Sequence, residues 1–404
     1  MKSSRLGPIQ HLTTLDQPRS CTFPVQRRLI QSFNHSIIQS FNHSIIQSFN
    51  HSKFHGGSFK IKKMLYIVIT YLWASILLYL LLGGADFGAG IIELFTSQKN
   101  KQVTRKTLYS AIGPIWEANH MWLIIAIVIL FVGFPVIYST MSVNMHIPLT
   151  VMLIGIIARG TAFTFRHYDA VVDDTQHLYN TIFELSSFTT PLFLGIIAGS
   201  AVSGHIDPQA GSFADAYIFS WLHWFAITVG LFTVSICGFL ASVYLIGETN
   251  VEHERLRFAH KAQFFNIAAV VCGALVFAAA WVEHIPLFDW VFGNWVGRIA
   301  IISATLSLIW MWMLLYQGKI SLLRPLAGFQ VTMILLTTTF KHFPNIVILK
   351  GGGYLSLTEH AGHEKTIEAL GWALLLGSIL ILPALFYLIY SFQKKPLAYG
   401  SESH

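Results

Sequence analysis

From Met64 to Lys395 the chain is a succession of long apolar runs separated by short polar connections. Runs of about 20 residues are what a helix needs to cross a hydrocarbon core roughly 30 Å thick. Nine such spans are predicted, at 65–82 with a continuation toward 95, 121–138, 148–165, 181–202, 217–246, 262–282, 296–316, 327–349 and 367–391. The longest are expected to tilt or to extend past the lipid. None of the connections is long enough to hold a soluble domain, so the expected fold is an all-α polytopic membrane protein. Composition agrees, with 54% of the 404 residues hydrophobic and 11% charged.

Residues 1–63 follow another pattern. Leu29 to Ser36 reads Leu-Ile-Gln-Ser-Phe-Asn-His-Ser, and the next two octapeptides repeat it with Ile in first place. A strict period of eight matches no repeat fold, and its Asn, Gln, Ser and His content is that of low-complexity sequence. A signal peptide would need a single apolar core and a small-residue cleavage site, which this segment lacks. The reading is a non-native or disordered extension over 1–63 from a misassigned start codon, with Met64 as the true start, a transmembrane helical domain over 64–395 and a short cytoplasmic tail over 396–404.

Charge sharpens that reading. The formal net charge is +7, but residues 1–63 hold nine Lys/Arg and one acid, while the remainder holds 17 Lys/Arg and 18 acids. The basic excess is therefore confined to the extension, and no nucleic-acid partner is expected. Across nine spans, the connections on one side together with the C-terminus carry thirteen Lys/Arg, and the other side carries four. Positive charge stays in the cytoplasm, which places the C-terminus there and the N-terminus of the first span outside. A basic tail on that outer end would sit on the disfavoured face. Of the three cysteines, Cys237 and Cys272 fall in spans, where they are expected as small buried hydrophobes rather than a disulfide or metal ligands.

Polar residues inside these spans carry the candidate chemistry. Gly113 to Leu123 reads Gly-Pro-Ile-Trp-Glu-Ala-Asn-His-Met-Trp-Leu, with Pro114 suited to a first helical position. Glu117 and His120 stand at i and i+3, and Trp116 and His120 at i and i+4, on neighbouring parts of one helix surface, with Asn119 beside them. A carboxylate in a bilayer is costly and marks a proton or ion route; a Glu at the interface that snorkels to water is the bland alternative. Gly83 to Gly90 reads Gly-Gly-Ala-Asp-Phe-Gly-Ala-Gly. Gly84 and Gly88 have the spacing for close helix approach, and Asp86, Gly90 and Glu93 lie on one stripe, which reads equally as packing or as function.

The third span ends with Arg159 inside Arg166. Arg159 needs a carboxylate partner there, Asp86 and Glu117 being the candidates, unless it snorkels to headgroups. Ser186 to Leu192, with Pro191, reads as a structural kink whose hydroxyls satisfy a freed carbonyl. His120, His223, His284 and His342 all fall near span ends rather than facing one another at depth, which disfavours a haem held wholly by this chain. No phosphate-binding glycine loop, zinc spacing or nucleophile elbow occurs.

Four of these segments, Gly83 to Gly90, Gly113 to Leu123, Arg159 to Arg166 and Ser186 to Leu192, resemble subunit II of the cytochrome bd quinol oxidases, and the resemblance runs from Met64 to about Lys395. It implies nine helices arranged as two four-helix bundles plus one peripheral helix. It also implies a partner, a homologous subunit I that carries three haems (two b-type and one d- or b-type) and the quinol site, in a complex of the bacterial cytoplasmic membrane that reduces dioxygen to water. Membrane lipid and a small accessory subunit are further expected partners. No catalytic residue and no metal site is expected on this chain. The family's intramembrane acids and arginine are taken to serve proton delivery, and they fall here on Glu117, Asp86 and Arg159, with Trp116, Asn119, His120, Glu93 and Arg166 in support. Many members have Asp where this chain has Glu117. From Tyr217 onward the likeness weakens, so no quinone or lipid site carries over. Competing readings are a proton- or solute-coupled transporter, for which no inverted repeat is visible, and a di-haem cytochrome b, which the histidine placement disfavours.

Overall fold

The computed structural model describes residues 57–112, 116–168, 174–249, 251–319 and 322–393. The octapeptide repeats, the Gly113-Pro114-Ile115 opening of the second motif and the tail after 393 lie outside these residues, as does the side chain of Glu117. The chain divides into two units, Met1–Ser58 and Phe59–His404, and the second is described below.

Helices dominate. In chain order they are α1 (Gly57–Leu78), a π turn (Tyr79–Gly83), α2 (Gly84–Leu94), α3 (Gln98–Ile112), α4 (Trp116–Gly133), α5 (Pro135–Asn144), α6 (His146–Tyr168), α7 (Asp174–Ser203), α8 (Phe213–Tyr217), α9 (Trp224–Glu248), α10 (Glu252–Val282), α11 (Leu287–Phe292), α12 (Trp295–Tyr316), α13 (Leu323–His342) and α14 (Glu364–Gln393). A two-stranded antiparallel hairpin, β1 (Asn345–Ile348) and β2 (Tyr354–Ser356), joins α13 to α14.

Every predicted span falls on a helix, and the fold is an all-α polytopic membrane protein. Among the described residues seven helices are long and apolar enough to cross a bilayer, and an eighth span results if the bent pair α4–α5 is counted as one. The run expected as one straight span at 121–138 is broken: α4 and α5 meet at 113° around Phe134. The cause is Pro135, which pushes the preceding residue out of the helical region, and Phe134 has φ −136° and ψ 59°. The span expected over 217–246 starts only at Trp224, after the short helix α8. The one expected over 327–349 ends at His342, where Pro344 and the hairpin follow, and α13 is not apolar enough to pass as a span. Pro191 sits inside α7 without ending it.

The first span is a single 33-residue run, Lys62–Leu94, passing through the π turn. That turn is where the Gly83-Gly84 pair lies: a Cβ on Gly83 would come within 2.9 Å of the Tyr79 ring. α2 then packs against both α7 and α9, and α6 lies along α7. The glycines explain the closeness. A Cβ on Gly88 would run into the Cys237 carbonyl and the Ala241 methyl on α9, and one on Gly90 would run into Ser187 on α7. Around these contacts lies a core cluster that includes Ile91, Ile92, Cys237, Ala241 and Phe265. Cys237 is a buried free thiol and Cys272 is half-buried, as expected of small core residues.

Candidate functional site: a buried ladder of ion pairs

Asp86 and Glu93 are seven residues apart on α2, and Arg159 and Arg166 are seven apart on α6. Seven residues make about two helical turns, roughly 10 Å along the axis, so acids and arginines meet as two rungs. On the first rung Arg159 donates from Nη1 to Asp86 Oδ2 and from Nη2 to Asp86 Oδ1, both at 2.7 Å. Nη2 also donates to the Asp86 carbonyl at 2.9 Å, and Nε to Ser187 Oγ at 3.1 Å. Both residues are 1% exposed. A bidentate pair with four of the five guanidinium N–H groups occupied is what makes burial of two charges tolerable.

The second rung lies nearer the charged end. Arg166 Nη1 donates to Glu93 Oε2 at 2.9 Å, and Arg105 of α3 pairs with the same carboxylate. Arg105 reaches on to Glu184 of α7 at 3.3 Å, and Lys101 binds Glu184 at 2.7 Å. Phe183 stands between the rungs, its ring centroid 5.0 Å from the Arg159 guanidinium carbon and 4.2 Å from that of Arg166. The ladder therefore draws on α2, α3, α6 and α7.

Above the first rung sits His120, with Nε2 3.7 Å from Asp86 Oδ2, beyond a direct hydrogen bond. Among the described residues its Nδ1 is buried without a partner, and so is the Tyr79 hydroxyl. Trp116, Phe87 and Tyr79 surround the imidazole with centroid separations of 6.3, 5.7 and 6.2 Å. Asn119 is buried and lines, with Asp86, Tyr244, Arg324 and a set of leucines, a cavity of about 230 Å³. Its walls are almost wholly apolar, and Arg324, among the lining residues, pairs with Glu248 at 2.7 Å.

Of the two carboxylates considered for Arg159, Asp86 binds it, and at 1% exposure Arg159 does not snorkel to headgroups. Asp86, Arg159, Glu93, Arg166, His120, Trp116 and Asn119 thus converge as a connected region. Glu117 belongs to α4, but its side chain is among those not described. Sequence reasoning overlooked Ser187, Glu184, Arg105 and Lys101. The Ser186–Leu192 segment was read as a kink, whereas Ser187 serves Arg159 directly. An acid within the apolar run 181–202 was the available signal for Glu184.

These features define a class: a polytopic helical membrane protein whose central helices are joined by intramembrane arginine–carboxylate pairs. The sequence model of the family described as Cytochrome bd terminal oxidase subunit II matches residues 64–392, and the chain belongs to that family. It is 25% identical over 229 residues to the Cytochrome bd-I ubiquinol oxidase subunit 2 of Escherichia coli strain K12, covering 54% of this chain and 58% of the relative. It is 27% identical over 174 residues to the Cytochrome bd ubiquinol oxidase subunit 2 of Bacillus subtilis strain 168, covering 43% of this chain and 49% of the relative. The alignments thus span about half the length of these relatives. In fold the chain is similar to one in the structure of the bd oxidase from Geobacillus thermodenitrificans, with a TM-score of 0.65 and 18% identity over 82% of this chain and 98% of that one.

Proposed function

We propose that this chain is the second subunit of a cytochrome bd-type quinol oxidase of the bacterial cytoplasmic membrane. It pairs with a haem-bearing subunit I that holds two b-type haems and one d- or b-type haem, and the complex reduces dioxygen to water with electrons from quinol. Family membership supports the pairing. The proposed role of this chain is to brace the partner and to supply part of the proton route, with no complete active site of its own.

The observation that carries the proton-route reading is the neighbourhood of Asp86. Arg159 matches its charge, so the rung is a fixed neutral element that is well suited to holding geometry. Proton movement falls to the groups around it. His120 has two ring nitrogens, one facing Asp86 and one buried without a partner among the described residues, and an imidazole can take a proton at one nitrogen and release it from the other. Asp86 and Asn119 line a cavity together with Tyr244 and Arg324, and that shared cavity supports the reading. Glu117, one turn before His120 on α4, is the proposed titrating carboxylate.

The test is turnover of the purified complex with haem content checked by absorption. Glu117→Gln keeps the shape and cannot titrate, and it is expected to lower quinol-driven oxygen consumption at least about 100-fold, the lower end of the range for losing a proton-transfer group. Glu117→Asp is expected to retain most of it. A Gln variant with parental turnover and full haem would refute the role of Glu117.

A further inference from the structure

At the other end of α7 from Glu184, three side chains from three connections meet just outside the spans. His205 follows Ser203, the last residue of α7, through Gly204, whose φ of +76° is a conformation natural to glycine. It is held in place on its far side by Ile206, which bridges to Leu349. His223 is the N-cap of α9. Glu283 is the C-cap of α10, fixed by paired bonds from His284 N–H to the Trp281 carbonyl and from Ile285 N–H to the Ala280 carbonyl, with His284 left-handed at φ 57°.

Each of the three residues offers a donor atom, and these atoms lie within 4.8 Å of one another. The imidazoles of His205 and His223 are stacked, with centroids 4.2 Å apart and planes at 17°. Glu283 takes a hydrogen bond from the Phe225 N–H on Oε1 at 3.2 Å, and its Oε2 lies 2.9 Å from His223 Nδ1. An ionised carboxylate only accepts, so with the proton on Nδ1 that contact is a hydrogen bond and the lone pair of His223 is on Nε2, whereas the Ala226 N–H, 3.4 Å from Nδ1, meets a lone pair there in the other tautomer. Nε2 of His223 and Nδ1 of His205 are buried with no partner among the described residues. The His223 side chain is 8% exposed. Two ring nitrogens without hydrogen-bond partners among the described residues, beside a carboxylate, are costly as they stand and are the donor types that a transition ion takes.

We propose that His205, His223 and Glu283 form a binding site for one borderline divalent transition ion, with Zn2+ as its representative. Two imidazole nitrogens and a carboxylate oxygen suit Zn2+ over Mg2+ or Ca2+, which prefer all-oxygen shells. Donors about 2.0–2.2 Å from a tetrahedral ion stand little more than 3 Å apart, so binding draws the three side chains together and fans the stacked rings. A water completes the shell. Bound there, the ion ties the end of α7, the start of α9 and the end of α10 into one unit and stabilises the folded protein by mass action. The site lies away from the Asp86 rung and stands independently of the proton-route reading.

The experiment uses the full chain purified with whatever partner it carries, stripped with a chelator and titrated with radioactive Zn2+ by equilibrium dialysis. Zinc K-edge X-ray absorption is recorded on the loaded protein. One Zn2+ per chain with two imidazoles in the first shell is expected. His205→Ala should weaken binding at least about 100-fold and Glu283→Gln about 10- to 100-fold, while His177→Ala, at an exposed histidine on α7, should leave it unchanged. A parent that binds no Zn2+, a shell with one imidazole or none, or undiminished binding by His205→Ala overturns the site. Should His205→Ala fail to fold, the first shell of the parent decides.

Discussion

Arg159 is the most informative single residue, because its four hydrogen bonds to Asp86 and Ser187 place a full guanidinium charge out of water. Removing one partner leaves the other charged, buried and unpaired, at a cost of about 3–5 kcal/mol, whereas replacing both by apolar groups of similar volume is close to neutral. Arg159→Met is therefore expected to lower the thermal midpoint and yield of the purified complex sharply, and Asp86→Leu combined with Arg159→Met to restore most of that loss. A double variant no more stable than the single one would show that the pair is not an energetic unit. The double variant also separates stability from turnover: recovered assembly with lost oxygen consumption assigns the rung a part in proton handling. Glu93 presents a different case, since Arg105 and Arg166 both reach it, and losing either leaves the carboxylate paired.

At the scale of elements, the close approach of α2 to α9 and α7 decides whether the rungs can form. The spacing of Gly84 and Gly88 predicts such an approach, and the structure aims Gly88 at the Cys237 carbonyl on α9. Backbone cannot move aside as a flexible side chain can. Gly88→Ala is accordingly expected to prevent assembly of a haem-loaded complex, measured as haem per protein after purification, while Gly211→Ala, where a Cβ meets nothing within 4 Å, should behave as parent. A Gly88→Ala complex with normal haem would contradict the packing described. Helix identity was legible from sequence because apolar length suffices in a bilayer. Helix ends were less legible. The bend at Phe134 follows from Pro135, a signal available in the chain but hidden inside an apolar run. The ladder was half legible: the i, i+7 stripe on α2 showed its acids, but α3 and Glu184 entered only through tertiary packing, for which hydropathy has no period to offer. The stacked His205 and His223 were beyond reach of sequence altogether, being 18 residues apart on separate connections.

For the whole molecule, a fold shared with a bd oxidase chain and membership of the subunit II family stand beside a buried ladder of ion pairs. The bias of Lys and Arg toward one side proposes a cytoplasmic C-terminus, and a reporter fused there should be active only in the cytoplasmic form; activity only outside would reverse the orientation. The central claim is the division of labour between two subunits, and affinity purification through a tag on this chain, read by haem absorption and by the mass of whatever accompanies it, tests it most directly. The account predicts a partner of similar size that carries the haems and remains with this chain in mild detergent, and no haem absorption from this chain once it is separated. Stoichiometric haem on the separated chain, or purification with no haem-bearing partner, would contradict it.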